Sequence, residues 1–192
     1  IYLIFFIRLS NGLKSHNDCS NMGGTSSLPY VSVIIAVRDE EVYIGNLLES
    51  LSKQNYPVEK IQFIFVDDGS TDNTYNIVYE KIATDNRFNL SKAGEPSKFF
   101  SPKKWALNKG IKIADGEVLI MTDGDCTMEE NWVRYMAEFF MKKEIGMVLG
   151  SSPLGLSRSI WDRALRMDSI GLDALMMSTL VAKLPFTASG RN

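Results

Sequence analysis

The chain has 192 residues, 45% hydrophobic, 23% charged and 10% aromatic, a composition that supports a sizeable core and excludes disordered, collagen-like and repeat architectures. Its 21 basic and 23 acidic residues leave a formal net charge of -2, so charge offers no ground for a nucleic-acid partner. Two cysteines far apart in sequence, Cys19 and Cys126, and a single histidine, His16, argue against a disulfide framework and against a Cys/His zinc site of the usual kind.

Residues 1–9 open with the apolar run IYLIFFI, stopped by Arg8. Alone it is far short of the roughly 20 residues that cross a bilayer. It is expected to be the end of a transmembrane helix, with Arg8 and Lys14 on the cytoplasmic side. The alternatives are an N-terminal strand and the remnant of a signal peptide. Residues 10–29, rich in Ser, Asn and Gly, are expected to be a linker, and residues 30–192 a single α/β domain. A chain that begins at Ile1 and ends at Asn192 directly after Thr187-Ala188-Ser189-Gly190-Arg191 is expected to be a fragment.

Val31 to Val37 is a continuous β-branched run, the pattern of a strand buried on both faces of a parallel sheet. Ile44, Leu47, Leu48 and Leu51 then recur at helical spacing, ahead of a stop at Tyr56-Pro57. A second strand, Ile61 to Val66, runs into DDGSTDNT, behind which Tyr75, Val78, Tyr79 and Ile82 predict a helix with Ser70 or Asp72 as N-cap. A short strand is expected near Arg87 to Leu90. A helix follows from Lys103 to Ala114, with Leu107, Ile111 and Ala114 inward and Gly116 at its stop. Glu117 to Thr122 is the next strand, opening onto DGDC. Thr127 and Glu130 have the spacing of a capping box for a helix carrying Trp132, Met136, Phe139 and Phe140. Gly146 to Gly150 reads as one more strand. The methionine-rich stretch from Ser159 to Leu184, with Met167, Met176 and Met177, is expected to be a helix packed on the sheet, the alternative being a membrane surface. Strands alternating with helices imply right-handed crossovers and a mostly parallel sheet between helical layers.

Both acidic motifs directly follow apolar strands, at the sheet edge where open α/β folds take their ligands. Asp123 and Asp125 stand at i and i+2, so an extended backbone sends both carboxylates to one side, and Gly124 between them admits a ligand close to the backbone. Such a pair suits Mg²⁺ or Mn²⁺ completing its shell with water and diphosphate oxygens; the plain alternative is a polar turn. Asp67 and Asp68 could accept hydrogen bonds from a nucleobase or ribose, or simply cap a helix. Arg38, Asp39 and Glu40 close the first strand, and Lys103 and Lys104 open a later helix where they suit a phosphate. There is no P-loop, no G-x-G-x-x-G fingerprint and no G-x-S-x-G elbow.

VSVIIAVRDEE, FIFVDDGSTDNT, KKWALNKG, LIMTDGDC and TASGRN, in that order and spacing, resemble the inverting family 2 glycosyltransferases of GT-A fold over about Val31 to Asn192. The resemblance implies a GT-A type nucleotide-diphospho-sugar-binding sandwich, incomplete at its C-terminus, that transfers a sugar with inversion in a metal-dependent reaction. It implies a donor site of Ala36, Val37, Arg38, Glu40, Asp67, Asp68, Lys103, Asp123 and Gly124, with Asp123 and Asp125 holding the cation. Implied partners are a UDP-sugar or a GDP-sugar and a glycan or lipid acceptor, at the cytoplasmic side of a membrane. Where such enzymes often carry Pro-x-Tyr-Asn-Glu, this chain has Ala36-Val37-Arg38-Asp39-Glu40, and Pro102 stands where a glycine often precedes the lysine. The family's catalytic base and its Gln-x-x-Arg-Trp type segment are expected beyond Asn192. A nucleotidyltransferase and a non-catalytic nucleotide-binding fragment are the rival readings.

Overall fold

The computed structural model describes residues 28–96, 98–142, 144–148, 150 and 159–181. The apolar run of residues 1–9, the linker up to residue 27 and the terminal TASGRN lie outside the described residues. Among the described residues no helix is long and apolar enough to cross a membrane.

Four strands, β1 (Val31–Val37), β2 (Ile61–Asp67), β3 (Phe88–Lys92) and β4 (Val118–Asp123), form a parallel sheet in the order β3-β2-β1-β4. Between and after them run α1 (Ile44–Ser52), α2 (Thr74–Ile82), α3 (Pro102–Lys112) and α4 (Trp132–Phe139). The both-faced burial expected of β1 is observed, and β2 shares it, because helices cover each side of the sheet. Val31, Val33, Ile35 and Val37 join Phe63, Phe65 and Phe88 under the side chains of α1, α2 and α4. Ile64 and Val66 face Ala106 and Trp105 of α3 on the other side. Burying each large apolar side chain in this way stabilises the fold by about 2 kcal/mol.

The elements match the sequence expectations to within a few residues, and the departures have physical causes. Leu28, at the end of the expected linker, is buried, and its carbonyl accepts a hydrogen bond from Lys60 Nζ at 2.8 Å. The Tyr56 hydroxyl donates to the Pro29 carbonyl at 2.6 Å, and burial pushes its pKa up to about 12. In α2 the inward residues are Thr74, Ile77, Val78 and Ile82, whereas Tyr79 faces outward and stacks on Tyr75. In α3 the inward residues are Ala106 and Gly110, not Leu107 and Ile111, because the helix lies so close to β1 that a Cβ on Gly110 would collide with Ile34 Cγ2. Gly116 ends no helix. It is a close-approach residue against β1, its N–H donating to Ser32 Oγ at 2.8 Å, while Gln62 Nε2 donates to the same oxygen at 2.7 Å. The run from Gly146 to Val148 forms no strand, and Met147 is exposed; a glycine at the start of so short a run weakens pairing. Leu149 lies outside the described residues.

The expected capping box of Thr127 and Glu130 is not formed, because α4 starts later, with Asn131 at the N-cap position and no side-chain cap from it. Its buried Val133 N–H is satisfied from afar by Gln54 Oε1 at 3.0 Å, and Gln54 Nε2 donates to the Glu129 carbonyl at 2.8 Å. Gln54→Ala leaves that N–H without an acceptor and is expected to cost about 2 kcal/mol of stability, read by denaturant unfolding, with α4 the first element to lose amide protection.

Arg87, leading into β3, donates to Asp85 at 2.7 Å and to the Ser52 carbonyl at 3.1 Å, and both partners of the ion pair are largely shielded from water. The hydrogen bond from Arg87 holds the Asp85 carboxyl below its ordinary pKa. A carboxyl depressed in the folded state contributes stability that is complete above its unfolded pKa of about 3.9 and is lost as pH falls through the folded value. Arg87→Ala is therefore expected to flatten the acid limb of the stability curve below about pH 4 while lowering stability at pH 7.

Helix α5 (Ile160–Val181) belongs to a different unit from residues 23–148. It exposes Ile160, Trp161, Leu165, Met167, Ile170 and Leu172.

Candidate functional site

All four strands run the same way, so their C-terminal ends share one edge. Val37 is in register with Asp67, and Ala36 with both Val66 and Asp123. The loops after β1, β2 and β4 therefore rise side by side, with neighbouring strands about 4.8 Å apart. Gly124 lets them approach: a Cβ there would meet Val37 Cγ1 and Glu40 Cγ, each at 3.1 Å. Val37 is buried as part of the core and its carbonyl accepts the Asp68 N–H at 2.9 Å, so it forms the floor of the site. Ala36 is half-buried beside it.

The β1 and β2 loops are laced together. Thr71 donates its N–H to Asp39 Oδ1 at 2.7 Å and its hydroxyl at 3.1 Å, and the Asp39 N–H donates to Ser70 Oγ at 3.2 Å. Glu40 N–H donates to Thr74 Oγ1 at 2.8 Å, Glu41 N–H to Asp72 Oδ2 at 3.0 Å, and Asn73 N–H to Glu41 Oε2 at 3.0 Å. This network holds Asp39 at φ 54°, a left-handed conformation that is costly for a residue with a side chain. The Thr71 N–H also holds the Asp39 carboxyl below its ordinary pKa. Asp72, an expected cap, does accept the Thr74 N–H at 2.9 Å, from one residue before the N-cap position.

The paired aspartates after β2 separate into two roles. Asp67 is buried and accepts the Gly69 and Ser70 N–H groups at 3.3 Å, closing a turn in which Gly69 has φ 76°. Asp68 is partly buried and lies 3.9 Å from Arg38 Nη1. Partial burial raises its pKa, and Arg38 opposes that shift. Arg38 also lies 3.8 Å from Asp39 and is more than half exposed, a cationic arm free to reorient toward a ligand.

At the end of β4, Asp123 accepts a hydrogen bond from Lys103 Nζ at 2.7 Å, while Asp125 is exposed. The Cys126 thiol donates to Asp125 at 3.7 Å, and burial pushes that thiol's pKa up. Glu40 leans over Gly124 toward this pair, and its pKa is raised by burial first and then by the charges of Asp125 and Asp123. Three carboxylates thus converge with one lysine among them. Among the described residues no group of three His, Cys, Asp or Glu is disposed to enclose a metal. Two hard oxygen donors on a strand end, in an excess of negative charge, do fit a divalent cation that takes its remaining ligands from water and a diphosphate. All the expected site residues lie on this one edge, Val37 and Asp67 as structural supports. Sequence reasoning missed the lacing by Asp39, Ser70, Thr71 and Thr74, whose signal is the density of Asp, Ser, Thr and Asn in DDGSTDNT.

Residues 32–167 match the family profile described as Glycosyl transferase family 2. The chain is 36% identical over 110 residues to glycosyltransferase AglE of Haloferax volcanii, covering 57% of this chain and 34% of that protein. It is 27% identical over 128 residues to a beta-monoglucosyldiacylglycerol synthase of Nostoc sp., covering 64% and 26%. It therefore spans about a third or less of these two relatives. Among solved structures it resembles the mannosyltransferase PcManGT of Pyrobaculum calidifontis in complex with GDP-Man and Mn²⁺ (TM-score 0.57, 26% identity, 70% of this chain and 39% of that one). It also resembles S. aureus TarS 1-349 in complex with UDP (TM-score 0.54, 28% identity, 68% and 38%). The parallel sheet with helices on both faces agrees with the GT-A type arrangement of these neighbours. With a profile match over most of its length and two structural neighbours on the same fold, this chain belongs to glycosyl transferase family 2.

Proposed function

We propose that the protein transfers a sugar, with inversion, from a nucleotide-diphosphate sugar to a glycan or lipid acceptor, and that residues 30–148 form its donor-binding part. The observation that carries this reading is the placing of Arg38, Asp68, Lys103, Asp123 and Asp125 on one sheet edge, anionic groups for a sugar and a cation beside cationic groups for phosphate. Asp68 accepts hydrogen bonds from the nucleoside, with Arg38 lying along it where related enzymes carry a tyrosine. Lys103 serves the diphosphate, and Asp123 and Asp125 hold Mg²⁺ or Mn²⁺. Such a cation, when bound, neutralises charge developing on the departing diphosphate. The structures with GDP-Man and Mn²⁺ and with UDP support this assignment by likeness. Proton removal from the acceptor needs a carboxylate, and no described residue is assigned that role. Location at the cytoplasmic face of a membrane belongs to the same reading and rests on the apolar run of residues 1–7 followed by Arg8 and Lys14.

Saturation-transfer NMR with UDP-glucose, UDP-GlcNAc, GDP-mannose and CTP in the presence of Mg²⁺ tests the donor class. Saturation of the nucleoside protons of a UDP-sugar or GDP-sugar, absent with CTP, is the expected result. Preference for the triphosphate would instead favour a nucleotidyltransferase.

A further inference from the structure

We propose that Lys103 is a built-in counter-cation for Asp123, occupying that carboxylate until a nucleoside diphosphate arrives, so that nucleotide and divalent cation bind cooperatively rather than independently. The inference rests on the donor-site reading above and concerns how that site is kept before it is filled.

Lys103 lies in the first turn of α3, next to Pro102 at the helix start. A cation there is opposed by the helix dipole, which favours negative charge at the N-terminus, so helix formation does not account for its placement. Its ammonium instead reaches across to Asp123 Oδ1 at 2.7 Å, joining two elements 20 residues apart. The lysine side chain is 58% exposed and the aspartate 26%, so the pair sits open at the site mouth rather than sealed in the core. Around it stand Asp125 and Glu40, the latter packed over Gly124 between the two aspartates.

Three consequences follow from charge and reach. A dication approaching Asp123 and Asp125 meets a positive charge already at hydrogen-bond distance from one of its ligands, which weakens its binding to the bare protein. The lysine has a flexible four-carbon stem and a point charge, so its ammonium can leave Asp123 for a nearby diphosphate at little conformational cost. Once it has left, an Asp123 oxygen is released and the repulsion is offset by the phosphates. By linkage, the factor by which the nucleotide tightens the cation equals the factor by which the cation tightens the nucleotide. The site is thereby kept from trapping a cation unproductively when no donor is present.

Calorimetric titration of Mn²⁺ into the full chain, without nucleotide and then with saturating UDP or GDP, tests this on wild type, Lys103→Met, Lys103→Gln and Lys112→Met. Lys112 is an exposed lysine at the opposite end of α3 and controls for loss of one positive charge. Both Lys103 variants are expected to bind Mn²⁺ alone about tenfold more tightly than wild type, as follows from removing a unit charge a few ångströms from a dication. The enhancement of Mn²⁺ affinity by nucleotide should shrink in both, while Lys112→Met should leave both quantities nearly unchanged. Mn²⁺ affinities of the Lys103 variants equal to or weaker than wild type overturn the proposal, as does an equal gain in Lys112→Met. Metal-dependent nucleotide binding in wild type alongside unchanged Lys103 variants sinks the counter-cation alone, whereas no metal-dependent nucleotide binding in wild type overturns the donor-site reading as well.

Discussion

Asp125→Ala is expected to lower Mn²⁺ affinity, measured in the presence of UDP or GDP, by on the order of a hundredfold or more, since even residues that only orient a metal ligand commonly cost up to about that factor. Nucleotide affinity should fall with it, because the diphosphate then meets the negative charges of Asp123 and Glu40 without the dication between them. The fold should be untouched, as Asp125 is exposed and forms no part of either core cluster. Unfolding midpoints equal to wild type, together with lost binding, separate this outcome from a folding defect. Asp67→Asn supplies the contrast, because its carboxylate closes the Gly69 turn, and it should lower stability before it touches metal affinity.

The largest stability effect is expected at Gly116. A Cβ there would stand 2.5 Å from the Ser32 backbone nitrogen, 2.6 Å from Ser32 Oγ and 2.8 Å from the Val31 carbonyl carbon. Two of these atoms belong to the backbone of a central strand paired on both sides, so nothing moves aside cheaply. Gly116→Ala should cost about 3 kcal/mol, which for a domain of this size lowers Tm by roughly 10 °C. The same change at Gly45, where a Cβ meets nothing within 4 Å, should be neutral or slightly stabilising, because alanine is the better helix former. Equal melting temperatures for Gly116→Ala and Gly45→Ala would show that the close packing of the β4 approach against β1 is misplaced.

The parallel sheet was legible because β1 and β2 are apolar on both faces, a pattern that few other settings tolerate. Helix faces were less legible where packing is tight. In α3 the rule that large apolar residues point inward fails, because Gly110 and Ala106 are what the separation from Ile34 permits. The α4 terminus was read from Thr127 and Glu130, at capping-box spacing, yet its cap comes from Gln54, 79 residues earlier. No local pattern can reveal a partner brought in by tertiary structure. At the site, the acidic loops and their shared edge followed from strand ends alone. The division of labour between Asp67 and Asp68 did not, since it depends on which carboxylate the Gly69 turn consumes. The pairing of Lys103 with Asp123 was equally hidden, for it needs the crossing of α3 over the sheet edge.

In the proposed function, the edge formed by the β1, β2 and β4 loops binds a nucleoside diphosphate through a divalent cation. Calorimetric titration of UDP and of GDP into the unaltered chain, with Mn²⁺ and then with the ion chelated, tests this binding. Saturable binding of at least one of the two nucleotides that requires Mn²⁺ is the predicted result; binding of neither, or binding of equal strength after chelation, would contradict it.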